Sequence, residues 1–473
     1  MDEPNWSGPL AEAYEQATRY LSATPDRRMG TDAAPAQLRQ SLGGPLPAAE
    51  SDPREVIAAL AAAVEPGLLA TTSGRFFGFV VGGSMPVALA ADWLTSVWDQ
   101  NAGLQVLGPA ATIVEEVAGD WMKELFGLPG HASVGYVTGT QMANLTGLAA
   151  ARHHVLRRVG WDVEVDGLIG APPLRVLAGA DRHATIDRAV RFLGLGSAAV
   201  VPVAVDGDGR MRPDALRAAL SEQPGPVIVC TQVGHINTGA IDPVGEICAA
   251  AREAQAWVHV DGAFGLWAAA SPRLRPMLAG VGMADSWATD AHKWLNVPYD
   301  SGVIFCAHPD AHRAAMGVRA SYLMHGRADE RDPLDYNPEF SRRARGFTVY
   351  ATLRALGRSG LQRLVERSCD LAQRFADRLA REANVEVLND VVLNQVLVRF
   401  LAPDGGDDDR HTNEVISRVQ ADGTCWMSGT TWRGHAAMRI SVTNWTTDEA
   451  DVDRSVQVIL RCASSATGLP RPA

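Results

Sequence analysis

The sequence predicts an α/β protein: a large unit on a mainly parallel, mixed sheet, a helical arm before it and a smaller α+β unit after it. Three observations lead there. Short runs such as "LRVLAG", "AAVVPVAV", "PVIVCTQV", "AWVHVDG", "SWATDAH" and "GVIFCA" are continuously apolar and rich in β-branched residues, as strands covered on both faces must be. Long Ala/Leu-rich segments of helical character separate them, which is the alternation of a parallel sheet. The chain has 473 residues, 47% hydrophobic and 21% charged, which allows two or three units and an ordinary packed core.

Taken in order, residues 1–82 read as helices broken by Pro- and Gly-containing joints, with Asp52 and Pro53 as N-cap and first-turn residues of one of them. This arm has little core of its own. Residues 83–345 carry the strand and helix alternation. Residues 346–473 begin with a long helix from "FTVYATLRAL", continue through strand-like "VEVLNDVVLNQVLVRF" and "HAAMRISVTNW", and end in a helix from about Thr447. The run "DGGDDDR" (404–410) reads as a solvated loop between two strands.

Composition also excludes several functions. A formal charge of −11 is the wrong sign for a nucleic-acid surface, which needs clustered Lys and Arg. No stretch approaches the roughly 18 uninterrupted apolar residues of a membrane span. The beginning "MDEPNWSGPLAEAYEQATRY" is acidic where a signal peptide needs positive charge, so a cytoplasmic protein is expected. Six cysteines lie far apart with no CxxC pair, which suggests neither a zinc site nor a disulfide framework. His153 and His154 are adjacent and no HExxH occurs, so no metal site is expected.

The chemistry concentrates around "TDAHKWLNVPYDSG", residues 289–302. Lys293 follows a buried-strand pattern and precedes a turn, so it stands at the end of the sheet, where α/β proteins place ligands. A lysine in such a partly desolvated place can present a free amine to a carbonyl and form a Schiff base. Asp261 ends another apolar strand in "WVHVDGAFG", where a carboxylate is costly without a partner. A protonated pyridine nitrogen supplies one, and pyridoxal 5'-phosphate carries it; the small Ala263 lets a flat ring lie against the chain. In "VTGTQMANLTGLAAARH" a short turn opens a strong helix, and Gly139, Thr140 and Gln141 stand at its N-terminus, where free N–H groups bind phosphate. His183 lies on a loop entering a helix, where its ring can stack on a planar group.

Together "HVDGAFG", "DAHKW", "TGTQMANL" and "DRHATIDRA" resemble, in order and spacing, the group II pyridoxal-phosphate-dependent amino-acid decarboxylases, over about residues 50 to 460. The resemblance implies the fold type I, aspartate aminotransferase-like architecture. It implies Lys293 as the residue bonded to the cofactor, Asp261 at the pyridine nitrogen, Ala263 beside the ring, His183 stacked on its other face, Thr140 and Gln141 at the phosphate, and His292 close to phosphate or substrate. It further implies Tyr322, in "SYL", as the catalytic tyrosine of a lid spanning 320–346, anchored by Arg342 of "SRRARG". Phe79, Val80 and Val81 match the segment lining the substrate pocket, and Trp98 and Asn101 belong to a stretch contributed by the partner of an obligate homodimer.

Two positions depart from the family pattern. Gln141 stands where the family has Ser, and His235 with Ile236 stands where it has a Thr pair, so His235 is a further cofactor-contact candidate. The implied reaction is decarboxylation of an L-amino acid, aromatic or medium-sized aliphatic, to an amine and CO₂. The alternatives on the same fold are a carbon–carbon lyase, an aldehyde-forming enzyme or a transaminase; a silent relative would have lost Lys293 or Asp261.

Overall fold

The structure is a computed structural model that describes residues 6–31, 33–222, 225–318, 331–403 and 405–464; Tyr322 and the first part of the expected lid, 320–330, lie outside them. Seven strands form the main sheet: β1 (Ser133–Val137), β2 (Arg175–Gly179), β3 (Val200–Val203), β4 (Val227–Gln232), β5 (Trp257–Asp261), β6 (Ser286–Asp290) and β7 (Gly302–Cys306). Their spatial order is β1-β7-β6-β5-β4-β2-β3. Every pairing from β3 across to β6 is parallel, and β7 runs antiparallel to both neighbours. The cause is local. Residues 291–301 contain no helix between β6 and β7, and a parallel return needs a crossover of about a dozen residues or more.

Helices cover both faces. The arm and entry helices are α1 (Ser7–Ala23), α2 (Pro35–Leu42), α3 (Pro53–Val64), α4 (Pro86–Trp98) and α5 (Pro109–Phe126), followed by α6 (Thr140–Arg157). Asp52 caps α3 by accepting the N–H groups of Arg54 and Glu55, with Pro53 in the first turn. The α6 helix lies on one face, against β5, β6 and β7, where no polar stripe is needed because it is buried nearly all round. The opposite face packs Trp267, Phe126, Trp287 and Phe305 into the largest apolar cluster.

A second sheet has the order β10-β11-β9-β8, all antiparallel, from β8 (Val385–Val387), β9 (Gln395–Phe400), β10 (Ser428–Trp432) and β11 (His435–Ser441). The helices Asp408–Asp422 and Glu449–Ser464 close its apolar core. The first of these starts inside the run expected to be a loop: Asp407 accepts the Arg410 N–H, and Asp408 and Asp409 sit in the first turn, where carboxylates complement the helix dipole. The long helix Gly346–Leu379 joins the two units and is broken at Gly357 by a non-helical backbone.

Part of the expected lid is instead packed structure. Pro333–Tyr336 is a buried 3-10 turn, and Arg342 makes a two-pronged ion pair with Glu115, 2.7 Å at each contact, with both side chains buried. All six cysteines are free and buried, and burial is the first cause holding each thiol above its ordinary pKa. Among the described residues no helix is long and apolar enough to cross a membrane, and no group of His, Cys, Asp or Glu could hold a metal ion.

Candidate active site

Strand alternation puts Trp257, His259 and Asp261 on the α6 face of β5, while Val258 and Val260 join the opposite core. Asp261 is buried at the strand's last position. Among the described residues its carboxylate receives only neutral donors: Asn144 Nδ2 donates to Oδ2 at 3.0 Å and the Ala263 N–H donates to Oδ1 at 3.2 Å.

Asp290 ends the adjacent strand, β6, and is held quite differently. Lys293 Nζ lies 3.1 Å from Asp290 Oδ2, and the Thr140 N–H at the start of α6 donates to Asp290 Oδ1 at 2.6 Å. His292 Nε2 is 3.5 Å from Oδ1. Its Nδ1 accepts the Ser301 N–H at 3.0 Å, so in the neutral ring the hydrogen is on Nε2. Burial is the main cause lowering the His292 pKa.

His183 caps the helix Ala184–Phe192 with its ring. Nδ1 accepts from the Thr185 N–H at 3.3 Å and lies 2.9 Å from Thr185 Oγ1. The other ring nitrogen therefore carries the hydrogen. Burial lowers its pKa, with Asp261 the largest opposing influence, so the ring is neutral and flat-faced at neutral pH.

These groups meet in one cavity of about 340 Å³ at the C-terminal ends of the strands. Its walls include Gly139, Thr140, Gln141, His183, Asp261, Ala263, His292 and Lys293 from the expected set. The Thr140 hydroxyl oxygen is buried there with no partner among the described residues. Gly82 runs so close to the Lys293 carbonyl that a Cβ would overlap it, which brings the 79–82 segment against the lysine turn.

Other expected residues do not line this cavity. His235 is buried in its own turn, with Nδ1 accepting the N–H groups of Asn237 and Thr238 and Nε2 3.1 Å from the Asp181 carbonyl; its neighbours Gly234 and Ile236 reach the cavity instead. Both ring nitrogens are thus engaged within the chain. Val80 is fully buried in the main core, and Val81 packs with Met29 and Trp426. Phe79 is 61% exposed and tilts against Trp426, while Trp98 is 47% exposed on Phe347. Asn101 accepts the Gly103 N–H and sits by Arg342.

Sequence reasoning passed over Asn144, Thr185, His259 and Asp290. The signals were present: Asn144 lies in the quoted "TGTQMANL", Asp290 in "DAHKW", and His259 two residues before Asp261, which on a strand means the same face.

An amine, a carboxylate left without a cation, a neutral ring and an unpartnered hydroxyl at a helix N-terminus fit pyridoxal phosphate in a cavity of this size. That set of groups defines the class: the pyridoxal-phosphate enzymes. The comparisons narrow it. The family model described as the pyridoxal-dependent decarboxylase conserved domain matches residues 35–401. Tryptophan decarboxylase 1 of Oryza sativa subsp. japonica is 27% identical over 480 residues, covering 95% of this chain and 92% of the relative. The 4-hydroxyphenylacetaldehyde synthase of Rhodiola rosea is 28% identical, covering 85% and 83%. A crystal structure of Oryza sativa TDC with PLP and tryptamine superposes with a TM-score of 0.92 at 24% identity, covering 98% of this chain and 99% of the other. The chain belongs to the pyridoxal-dependent decarboxylase family. It is a pyridoxal-phosphate-dependent amino-acid decarboxylase.

Proposed function

We propose that the substrate is an L-amino acid with an aromatic or medium-sized aliphatic side chain, released as the amine and CO₂. The observation that carries the site assignment is the convergence of Lys293, Asp261 and His183 on one cavity. Lys293 holds the cofactor through its amine. Asp261 accepts from the pyridine nitrogen, and Ala263 leaves room for the ring. The His183 ring covers one face, and Gly139, Thr140, Gln141 and His292 hold the phosphate. When bound, the cofactor draws off the electron pair left at Cα after CO₂ departs.

The chain's own groups set the rest. Lys293 must leave Asp290 to reach the cofactor, so Asp290 keeps the lysine side chain in place until then. His183 presents a hydrogen on Nε2 while its Nδ1 is fixed by Thr185. Arg439 is buried, meets Asn237 Oδ1 at 3.4 Å and has no carboxylate partner among the described residues. Tyr322 supplies the proton at Cα.

Exposed Trp93, Leu94, Val97, Leu107 and Ile113 on α4, α5 and the turn between them support a homodimer with the sites at its interface. Six free thiols suit a cytoplasmic location. The division into an arm (1–82), a large unit (83–345) and a small unit (346–473) is supported by the two separate sheets and cores.

The test is CO₂ release from L-tryptophan, L-tyrosine, L-phenylalanine, L-leucine, L-methionine, L-glutamate and L-2,4-diaminobutyrate. Release from aromatic or aliphatic members supports the reading; release confined to the last two overturns it. Aldehyde formation is the second reading, favoured by the likeness to the Rhodiola synthase. Tyr322→Phe is expected to shift product from amine toward aldehyde, and an unchanged amine yield rejects the proton-donor role.

A further inference from the structure

A row of buried hydrogen bonds leads from Asp261 back into the sheet. Asn144 donates from Nδ2 to Asp261 Oδ2 at 3.0 Å and to Thr185 Oγ1 at 3.1 Å. Its oxygen meets His259 Nε2 at 2.9 Å, and His259 Nδ1 meets Ser286 Oγ at 2.8 Å. Trp257 Nε1 donates to the same Ser286 Oγ at 2.9 Å. Asn144, His259 and Ser286 are fully buried. The strand register builds the row, because His259 faces Ser286 across the parallel β5–β6 pair.

The ends fix its direction. An indole N–H can only donate, and an ionised carboxylate can only accept. Both amide hydrogens of Asn144 are spent, so its oxygen must receive a hydrogen from His259 Nε2. His259 Nδ1 then accepts from the Ser286 hydroxyl, whose oxygen takes the Trp257 hydrogen. Each link points toward Asp261, and bonds aligned head to tail polarise one another in a dry interior. Such a row stabilises the anion at its end. Gly147 completes it: a Cβ there would fall 2.7 Å from His259 Cε1, so only glycine lets the ring lie against α6.

We propose that His259, acting through Asn144, is a positioning residue that keeps Asp261 ionised and aimed at the pyridine nitrogen of the cofactor. The proposal rests on reading Asp261 as the partner of that nitrogen. Burial agrees with it, since desolvation pushes the His259 pKa down to about 4 and keeps the ring neutral, as the row requires.

The experiment compares two cofactors: pyridoxal phosphate and its carbocyclic analogue with C–H in place of the ring nitrogen. Each is titrated into full-length apoprotein and followed by tryptophan fluorescence. The wild-type chain is expected to prefer pyridoxal phosphate by at least about tenfold, one hydrogen bond to a charged group. His259→Phe narrows that preference by about tenfold, and His259→Gln, which can still donate to Asn144, restores most of it. Equal losses of affinity for both cofactors overturn the proposal, because a packing role does not distinguish them. No preference in the wild type instead overturns the assignment of Asp261. Should His259→Phe fail to fold by circular dichroism, Ser286→Ala and Gly147→Ala decide: each is expected to narrow the preference by about threefold, and an unchanged preference in both overturns the proposal.

Discussion

Asp261 and Asp290 end neighbouring parallel strands and are both buried, yet their surroundings are opposite. Asp290 is met by Lys293, His292 and the N-terminus of α6. Asp261 is met by an amide side chain and one backbone N–H, with no cation among the described residues. A buried carboxylate stabilised by neutral donors alone still has its charge to offer. One already paired with an ammonium group does not. The difference separates an acid kept for a ligand from an acid kept for the lysine.

Substitutions test that contrast in descending order of effect. Lys293→Ala is expected to abolish turnover while leaving the melting temperature within a few degrees, because its side chain is at the cavity wall and outside the core; retained CO₂ release would remove it from the chemistry. Asp261→Asn should lower kcat by about 10²–10³-fold, the usual loss of a prepared electrostatic partner, with circular dichroism unchanged. Asp290→Asn should cost within about tenfold in kcat/KM, since the amide can still serve Thr140 and only the ammonium contact weakens. If the two variants lose activity equally, the contrast between the acids is mistaken.

The smallest effect concerns pH. His235 and His259 each have a pKa pushed down by burial to about 4 from an ordinary 6.5. An unfolded chain therefore takes up protons below about pH 6.5 that the folded chain refuses until about pH 4. Stability falls as pH drops through that window and levels off below it. Calorimetric melting at stepped pH should show this decline, and His259→Gln should reduce its slope by about one proton. Acid in this range charges the neutral row behind Asp261, so cofactor retention should fail along with the fold.

Much of this was legible because two signals are local. Continuous apolar runs marked β2 to β7, and the residues following β5 and β6 carried the chemistry. Lys293, Asp261, His183 and the α6 start needed only their own neighbours in sequence to be noticed. The antiparallel course of β7 was not legible as such, because it depends on a missing crossover helix rather than on any strand residue. β10 escaped because "SGTTW" is mostly polar and has only its ends buried. The partners of His235 were hidden for a related reason: its backbone belongs to a turn bordering the cavity, and its ring Nδ1 is engaged by that turn's own N–H groups. Asn144, Thr185 and His259 come from three separate elements and become a unit only when α6 is laid across β5.

The cysteines have a practical use. Every native thiol is enclosed and held in its protonated, unreactive form by burial. The natural chain is thus a blank background for maleimide or spin-label chemistry. A single cysteine introduced at an exposed position on α4, such as Val97, becomes the one addressable point per subunit. Paired labels there give a ruler for whether, and how closely, two copies approach.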